Sequence, residues 1–417
     1  MNTFRMLKKS VVIVVTMTIV YGLYAADFPA YFEMDGTRII SCEQFDVPDD
    51  LVIPNGVTEI GMNAFKDCTY IETVSIPAGV KKIGQDAFNN CSSITSISIP
   101  ESVTEIGKNA FKGCTSLTSI TLPQTMTKID ESTFYGCTSL TTVIIPSNVT
   151  AIKSSAFQNC TSLVNVTLPD SIIEISARVF QGCKSLASIT LPENVTIIEG
   201  SVFRDCNALT SVLIPNGVTE IVGGSFANCT SLSNISIPDG VTYIGEYSFQ
   251  GCTSLIDVVM PNSVTTIGRE AFQDCTSLKA ITLPENLTTI GERTFQNCKS
   301  LTSVTIPKRV KEIDDRAFED CTSLETVTIT RGVTYIGEWM FSSCSALKTV
   351  LIPRSVTTIG DCAFYGDRNL SIQFDGTKAQ WQSIKCITND RYNFGGTSIM
   401  GGGNRVTVHC TDGDLVS

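Results

Sequence analysis

Apolar and polar residues alternate over short stretches, and the stretches return every 23 residues. Between Leu117 and Ser139, the apolar Leu117, Ile120 and Leu122 are interleaved with Ser119 and Thr121, the pattern of a strand with one buried face. Pro123 follows; lacking an N–H for a sheet ladder, it marks the strand's end. Met126 and Ile129 form the next apolar pair, and Phe134 and Cys137 close the unit, with Gly136 allowing the turn back. The scheme recurs as Leu278, Ile281, Leu283, Pro284, Leu287, Ile290, Phe295 and Cys298. Strand alternation sends Ile120 and Leu122 inward and Thr121 outward.

Phenylalanine keeps the period most strictly, at Phe65, Phe88, Phe111, Phe134, Phe157, Phe180, Phe203, Phe226, Phe249, Phe272, Phe295, Phe318, Phe341 and Phe364. A unit this short cannot bury its own apolar side, so the copies must stack into an elongated solenoid. Strands stacked in register predict one long parallel sheet rising about 4.8 Å per coil, or roughly 65 Å in all. A second polar–apolar stretch, such as Val103-Thr104-Glu105-Ile106-Gly107, brings threonine back at 104, 127, 150, 196, 219, 242, 265, 288, 334 and 357. It predicts a second, narrow sheet. The segment Lys108-Asn109-Ala110 is too short for a full α-helix and predicts one helical or 3₁₀ turn.

The period fails at both ends. Residues 26–50 read as a lead-in or cap, with Cys42, Phe45 and Pro48 out of phase. The solenoid runs over 51–372 with about 14 repeats, and 373–417 is the terminal cap that an open apolar end requires. After Phe364, Asp367 stands where cysteine is expected.

Before the repeats, Lys8 and Lys9 precede an apolar run from Val11 to Val20, and Leu23-Tyr24-Ala25 offers a small-residue cleavage site. Residues 1–25 therefore read as a signal peptide. Its removal takes away Arg5, Lys8 and Lys9, moving the net charge from -11 to -14. That acidity excludes nucleic acid as a partner, because no basic stripe is present to displace counterions. No later stretch has transmembrane length, so an exported chain, secreted or at the cell surface, is expected.

Cysteine number changes less than export suggests. Of the 17 cysteines, thirteen sit three residues after a periodic phenylalanine, from Cys68 to Cys344. An odd set pointing one way is poor geometry for bridging. These read as buried thiols filling small apolar sites. Cys42, Cys362, Cys386 and Cys410 lie outside the ladder, and Cys386 with Cys410 is the candidate disulfide.

Written out, the unit resembles the repeat of the BspA-like leucine-rich repeat proteins. The match is carried by Leu301-Thr302-Ser303-Val304-Thr305-Ile306-Pro307, and by Leu255 through Pro261-Asn262-Ser263-Val264-Thr265-Thr266-Ile267-Gly268-Arg269-Glu270-Ala271-Phe272-Gln273-Asp274-Cys275. The tail is similar through Gly376-Thr377-Lys378-Ala379-Gln380-Trp381 and His409-Cys410-Thr411-Asp412-Gly413. The resemblance implies an α/β-type leucine-rich repeat solenoid, mostly β with short helical turns. It also implies exported or surface proteins of host-associated bacteria, some of them adhesins. No ligand residue is carried over, because the matching positions are scaffold. Thr330 departs from the periodic proline, and Asp130, Lys153, Ser176, Glu199, Val222 and Asp314 depart from the usual glycine, so local backbone irregularity is expected there.

Candidate chemistry is sparse. The sole histidine, His409, stands near Cys410 and Asp412, which invites a nucleophile or metal reading, but no dense ligand cluster surrounds it. Gly401-Gly402-Gly403 lacks the following Lys-Ser/Thr of a phosphate loop. Neither cofactor nor metal is expected. The outward row of the main sheet is more informative: Ser75, Ser98, Thr121, Ile144, Thr167, Thr190, Leu213, Ser236, Val259, Thr282, Thr305, Thr328 and Leu351. Such a flat, uncharged face suits an extended protein ligand, although serine and threonine also serve simply as solvent-facing strand residues. Tyr243 and Tyr335 share one phase and are either aromatic anchors or fillers against a neighbouring coil. Lys308, Arg309 and Lys311 form a small basic corner. The expected function is a protein-binding scaffold, an adhesin toward host extracellular matrix or another microbial surface protein. A structural envelope or matrix role is the alternative, with an enzyme using the C-terminal segment as a minor one.

Overall fold

The computed structural model describes residues 28–42, 47–367, 370–386 and 407–416. The signal peptide expected at 1–25, Phe45 and the glycines at 401–403 lie outside them. Most coils contribute a strand of three to five residues and, after a turn at the proline, a two-residue strand. Ser119–Thr121, Thr142–Ile144 and Asn165–Thr167 pair in parallel, with Ile120 opposite Val143 and Val143 opposite Val166. Their flanking residues are exposed and the middle residue faces the core, as period-two alternation requires. Lys128–Ile129, Ala151–Ile152 and Glu174–Ile175 form the narrow sheet in the same manner.

Neither sheet is continuous, contrary to the single ladder expected from the period. The main sheet ends after Asn165–Thr167, resumes at Ser188–Thr190, and contains no strand at 280–282. The narrow sheet breaks between Glu105–Ile106 and Lys128–Ile129, and again between Glu174–Ile175 and Ile197–Ile198. Two departures from the periodic glycine lie at the narrow-sheet breaks. A Cβ on Gly107 would lie 2.7 Å from the backbone nitrogen of Gln85, so the periodic glycine marks a close approach of two backbones. The Gly107 N–H donates to Ile83 in the preceding coil at 2.9 Å. At Asp130 and Glu199 the equivalent bond is missing, and at Asp314 it lengthens to 3.4 Å. Two of the expected irregularities therefore coincide with breaks, whereas Val222 keeps its 2.8 Å bond and the sheet runs through it.

The third side of the coil corrects the expectation of a helical or 3₁₀ turn. Ala110, Lys112 and Cys114 donate to carbonyls three residues back in their own coil. The alternating Asn109, Phe111 and Gly113 donate instead to residues 131, 133 and 135 of the next coil. A helix would direct all these N–H groups along its own axis, whereas here half of them bind coil to coil. Asn109 (φ 55°) and Gly113 (φ 73°) take the left-handed conformation that type II turns place at their third residue. Among the described residues the one α-helix is Lys378–Gln382, opened by a capping box between Thr377 and Gln380.

The phenylalanines are fully buried and form one axial stack. From Phe65 to Phe88 the ring centroids are 5.0 Å apart, and from Phe157 to Phe180 5.9 Å, with the rings 7° and 8° from parallel. That separation of near-parallel rings is the offset arrangement that ring quadrupoles favour. At the N-terminal end Phe32 meets Phe65 edge-on at 6.0 Å, and its strand Phe32–Asp35 runs antiparallel to Arg38–Cys42. At the other end Ser371–Asp375 and Thr407–Cys410 extend the main sheet, and Gly413–Val416 turns antiparallel. The narrow sheet ends on Lys385–Cys386. Cys386 and Cys410 thus lie in different sheets with both thiols free, and the disulfide expected between them is not formed.

Candidate binding face

Threonine on this scaffold falls into two kinds. In the narrow-sheet row the hydroxyls other than those of Thr127 and Thr196 are engaged: Thr150 donates to the carbonyl of Thr127, Thr219 to Thr196 and Thr288 to Thr265, one coil earlier each time. Those recurrences are structural. In the outward row of the main sheet, no serine or threonine hydroxyl has a hydrogen-bond partner among the described residues. Ser75, Ser98, Thr121, Thr167, Thr190, Ser236, Thr282 and Thr305 are all exposed, and Thr328 is half-buried. Ile144, Leu213 and Val259 interrupt the row with 70%, 65% and 62% of their surface open, and Leu351 is exposed further along. The residues singled out from sequence thus share one surface, with free hydroxyls and isolated apolar side chains on a backbone already paired.

Beside the periodic phenylalanines the surface differs. Gln250 donates to Gln273 at 2.6 Å and Gln296 donates to Glu319 at 2.6 Å, so amides there bind along the axis to one another. Asn228 likewise donates to Asp205 at 2.8 Å. Side chains so engaged offer less to a partner.

Tyr243 and Tyr335 belong to the narrow sheet, apart from the hydroxyl row, and both are half-buried. The Tyr335 hydroxyl lies 3.4 Å from Asp315, and burial, reinforced by that carboxylate, pushes its pKa up to about 12. Tyr335 therefore packs and donates within its own coil set. Lys308, Arg309 and Lys311 are exposed.

One feature of the face was not apparent from the period. At its C-terminal end the main sheet is bordered by a concavity of about 580 Å³, lined by Thr328, Arg331, Leu351, Gln373, Asp375 and His409 among others. A second, of about 510 Å³, adjoins Thr282, Glu285, Thr305, Lys308 and Arg331. Arg331 borders both, and its guanidinium pairs with Asp375 at 2.8 Å. The sequence signal was Thr330 in the proline position, followed by Gly332, whose φ of 140° only glycine adopts readily.

The His409, Cys410 and Asp412 group does not assemble as a relay. His409 Nδ1 faces Asp414 at 2.9 Å, and Asp412 accepts from the backbone N–H of Lys378 at 2.8 Å. Burial and nearby Asp412 push the Cys410 thiol up, away from the reactive thiolate.

The model of the BspA type leucine rich repeat region matches in six copies over residues 46–164, 127–256 and 242–371. The chain belongs to the BspA-type leucine-rich repeat family. Among solved structures, a leucine-rich repeat protein from Bacteroides ovatus is 32% identical, with 79% of this chain and 95% of that one covered and a TM-score of 0.62. A leucine rich cell surface protein from Faecalibacterium prausnitzii is 27% identical, with 88% and 100% covered and a TM-score of 0.52. A comparison with curated proteins finds no match. BspA-type repeats are a scaffold typical of bacterial surface proteins, consistent with protein binding. Among the described residues, no helix is long and apolar enough to cross a membrane.

Proposed function

We propose that this BspA-type protein is an exported, surface-associated adhesin that binds host or microbial proteins through the outer face of its main sheet. The observation behind the reading is the contrast between hydroxyl rows: all of the narrow-sheet threonines but Thr127 and Thr196 are tied to the coil before, and those of the main sheet are free. An extended protein segment laid along the axis would meet free hydroxyls as donors and acceptors, with Ile144, Leu213 and Val259 as spaced apolar contacts. The concavities around Arg331 would add a polar terminus to that track. An assembly role by end-to-end stacking fits less well. Phe32–Asp35 runs antiparallel at the N-terminal edge of the narrow sheet and Gly413–Val416 at the C-terminal edge of the main sheet, so at each end one of the two sheets does not continue as a parallel ladder. The test is binding of the purified chain to immobilised host matrix proteins and to intact microbial cells, with Thr282→Ala, Thr305→Ala and Thr328→Ala combined. Weakened binding by a normally folded variant supports the reading, and unchanged binding removes the hydroxyl row from it.

A further inference from the structure

We infer that Cys42 and Cys68 are a disulfide-forming pair that locks the N-terminal strands onto the first coil. From Cys91 onward, each ladder thiol reaches the phenylalanine carbonyl 26 residues before it, as Cys91 reaches Phe65 and Cys114 reaches Phe88. Cys68 has no phenylalanine at that separation. The residue 26 positions earlier is Cys42, and the two Sγ atoms are 3.3 Å apart. The first thiol of the ladder thus meets a second thiol where all those after it meet a carbonyl oxygen.

The surroundings favour this contact. Arg38–Cys42 pairs in parallel with Glu59–Ile60, so the strand bearing Cys42 is held beside the first coil by its backbone. Arg38 lies 3.5 Å from Glu59, Thr37 and Thr58 hydroxyls are 2.7 Å apart, and Phe32 closes over Phe65. An S–S bond of about 2.05 Å requires an approach of roughly 1 Å more, within reach of side-chain rotation at a strand end. Cys42 is half-buried and Cys68 buried, so Cys42 is the thiol a reagent meets first. The hydrogen bond between them lowers the Cys68 thiol and, together with burial, pushes the Cys42 thiol well above its ordinary value, so Cys68 is the readier thiolate and Cys42 meets an oxidant first by its exposure alone.

The oxidant is a disulfide, either a small molecule or a protein. The Cys42 sulfur attacks one sulfur of that disulfide, forming a mixed disulfide and releasing one thiol. The Cys68 sulfur then attacks the Cys42 sulfur, forming the Cys42–Cys68 bond and releasing the second thiol. Two protein S–H bonds are lost and one S–S bond is made. The oxidant, reduced by two electrons, carries the two protons away. A solenoid opens most easily at its ends, so a covalent closure here acts where the first coil is covered only by the N-terminal strands.

The experiment treats the purified chain in its native state with glutathione disulfide, unfolds it in the presence of the alkylating reagent and maps the cysteines by mass spectrometry. The expected result is a loss of two alkylatable thiols and one linked peptide joining residues 42 and 68. Cys42→Ser abolishes it, and Cys386→Ser and Cys410→Ser leave it intact. Amide exchange at Ile39 and Ile60 should slow by about tenfold or more in the oxidised chain relative to the reduced one. Recovery of both cysteines as free thiols or as separate glutathione adducts would overturn the pairing, as would linkage of Cys42 to another cysteine. Linkage without slower exchange would overturn the locking role.

Discussion

The thiol of Cys183 lies 3.2 Å from the carbonyl oxygen of Phe157, in the coil before it. The same oxygen accepts the backbone N–H of Cys160 at 3.2 Å. A carbonyl has two lone pairs, and here both are used: one by the turn that closes its own coil and one by the side chain of the next. The cysteine ladder is therefore more than a filler of small apolar volume. It is a small hydrophobe with a weak donor, placed where a purely apolar residue would leave an acceptor half-satisfied.

Replacing Cys183 with alanine should lower stability by about 1–2 kcal/mol, through the lost donor and the small void. Equilibrium urea unfolding of the variant measures the loss. An unchanged midpoint would show that the thiol contributes only volume that the coil can close.

Reactivity should follow burial. Brief alkylation of the reduced native chain should modify Cys42, Cys386 and Cys410, the three cysteines that are not buried, and spare the rest of the 17. Peptide mapping after alkylation reads this directly, and rapid labelling within the ladder would contradict the packing.

Phe203→Ala, in the middle of the stack between Phe180 and Phe226, should cost about 3–5 kcal/mol. Because each coil contacts chiefly its neighbours, the loss should appear first as faster hydrogen exchange around residues 180–226. Uniform exchange across all coils would instead indicate one cooperative unit.

Asp367 replaces the ladder cysteine after Phe364 and is fully buried; among the described residues neither carboxyl oxygen has a well-formed hydrogen bond, the Cys344 backbone offering a weak opposing contact. Burial pushes its pKa up to about 8. The ordinary value near 4 applies to the unfolded chain, so the folded chain holds this proton more tightly. Stability from this site is full below about pH 4, falls as pH rises toward 8 and is flat beyond, amounting to at most a few kcal/mol. Asp367→Asn should flatten that slope and raise the melting temperature at pH 8. A variant that keeps the wild-type pH profile would show that another group carries it.

Much of this was legible in the chain itself. The 23-residue return of phenylalanine fixed the stack, and alternation around Ile120 identified Thr121 and its equivalents as one outward row. What escaped notice depends on contacts between coils. Nothing local in Lys108-Asn109-Ala110 reveals that alternate N–H groups cross to the next coil, so a short helical turn was the natural expectation. Threonine recurrence at 104 and 127 did not by itself distinguish a hydroxyl tied to the preceding carbonyl from a free one. Phase arithmetic also misjudged Cys42. The cap strand registers with the first coil at a separation of 21 residues, as Thr37 does with Thr58, so a residue out of phase in sequence still arrives beside Cys68. The concavities around Arg331 arise where Thr330 breaks the proline pattern and the cap folds back as Asp375, a juxtaposition 44 residues apart in sequence.

In the proposed function the outer face of the main sheet receives a protein. Ile144→Glu, Leu213→Glu and Val259→Glu, combined in one chain, change side chains that are mostly solvent-exposed and should leave the fold and melting temperature intact. Equilibrium binding of this variant to the protein or cell surface bound by the wild type should weaken by about tenfold or more. Wild-type affinity in a folded triple variant would contradict the claim and move recognition to another face of the solenoid.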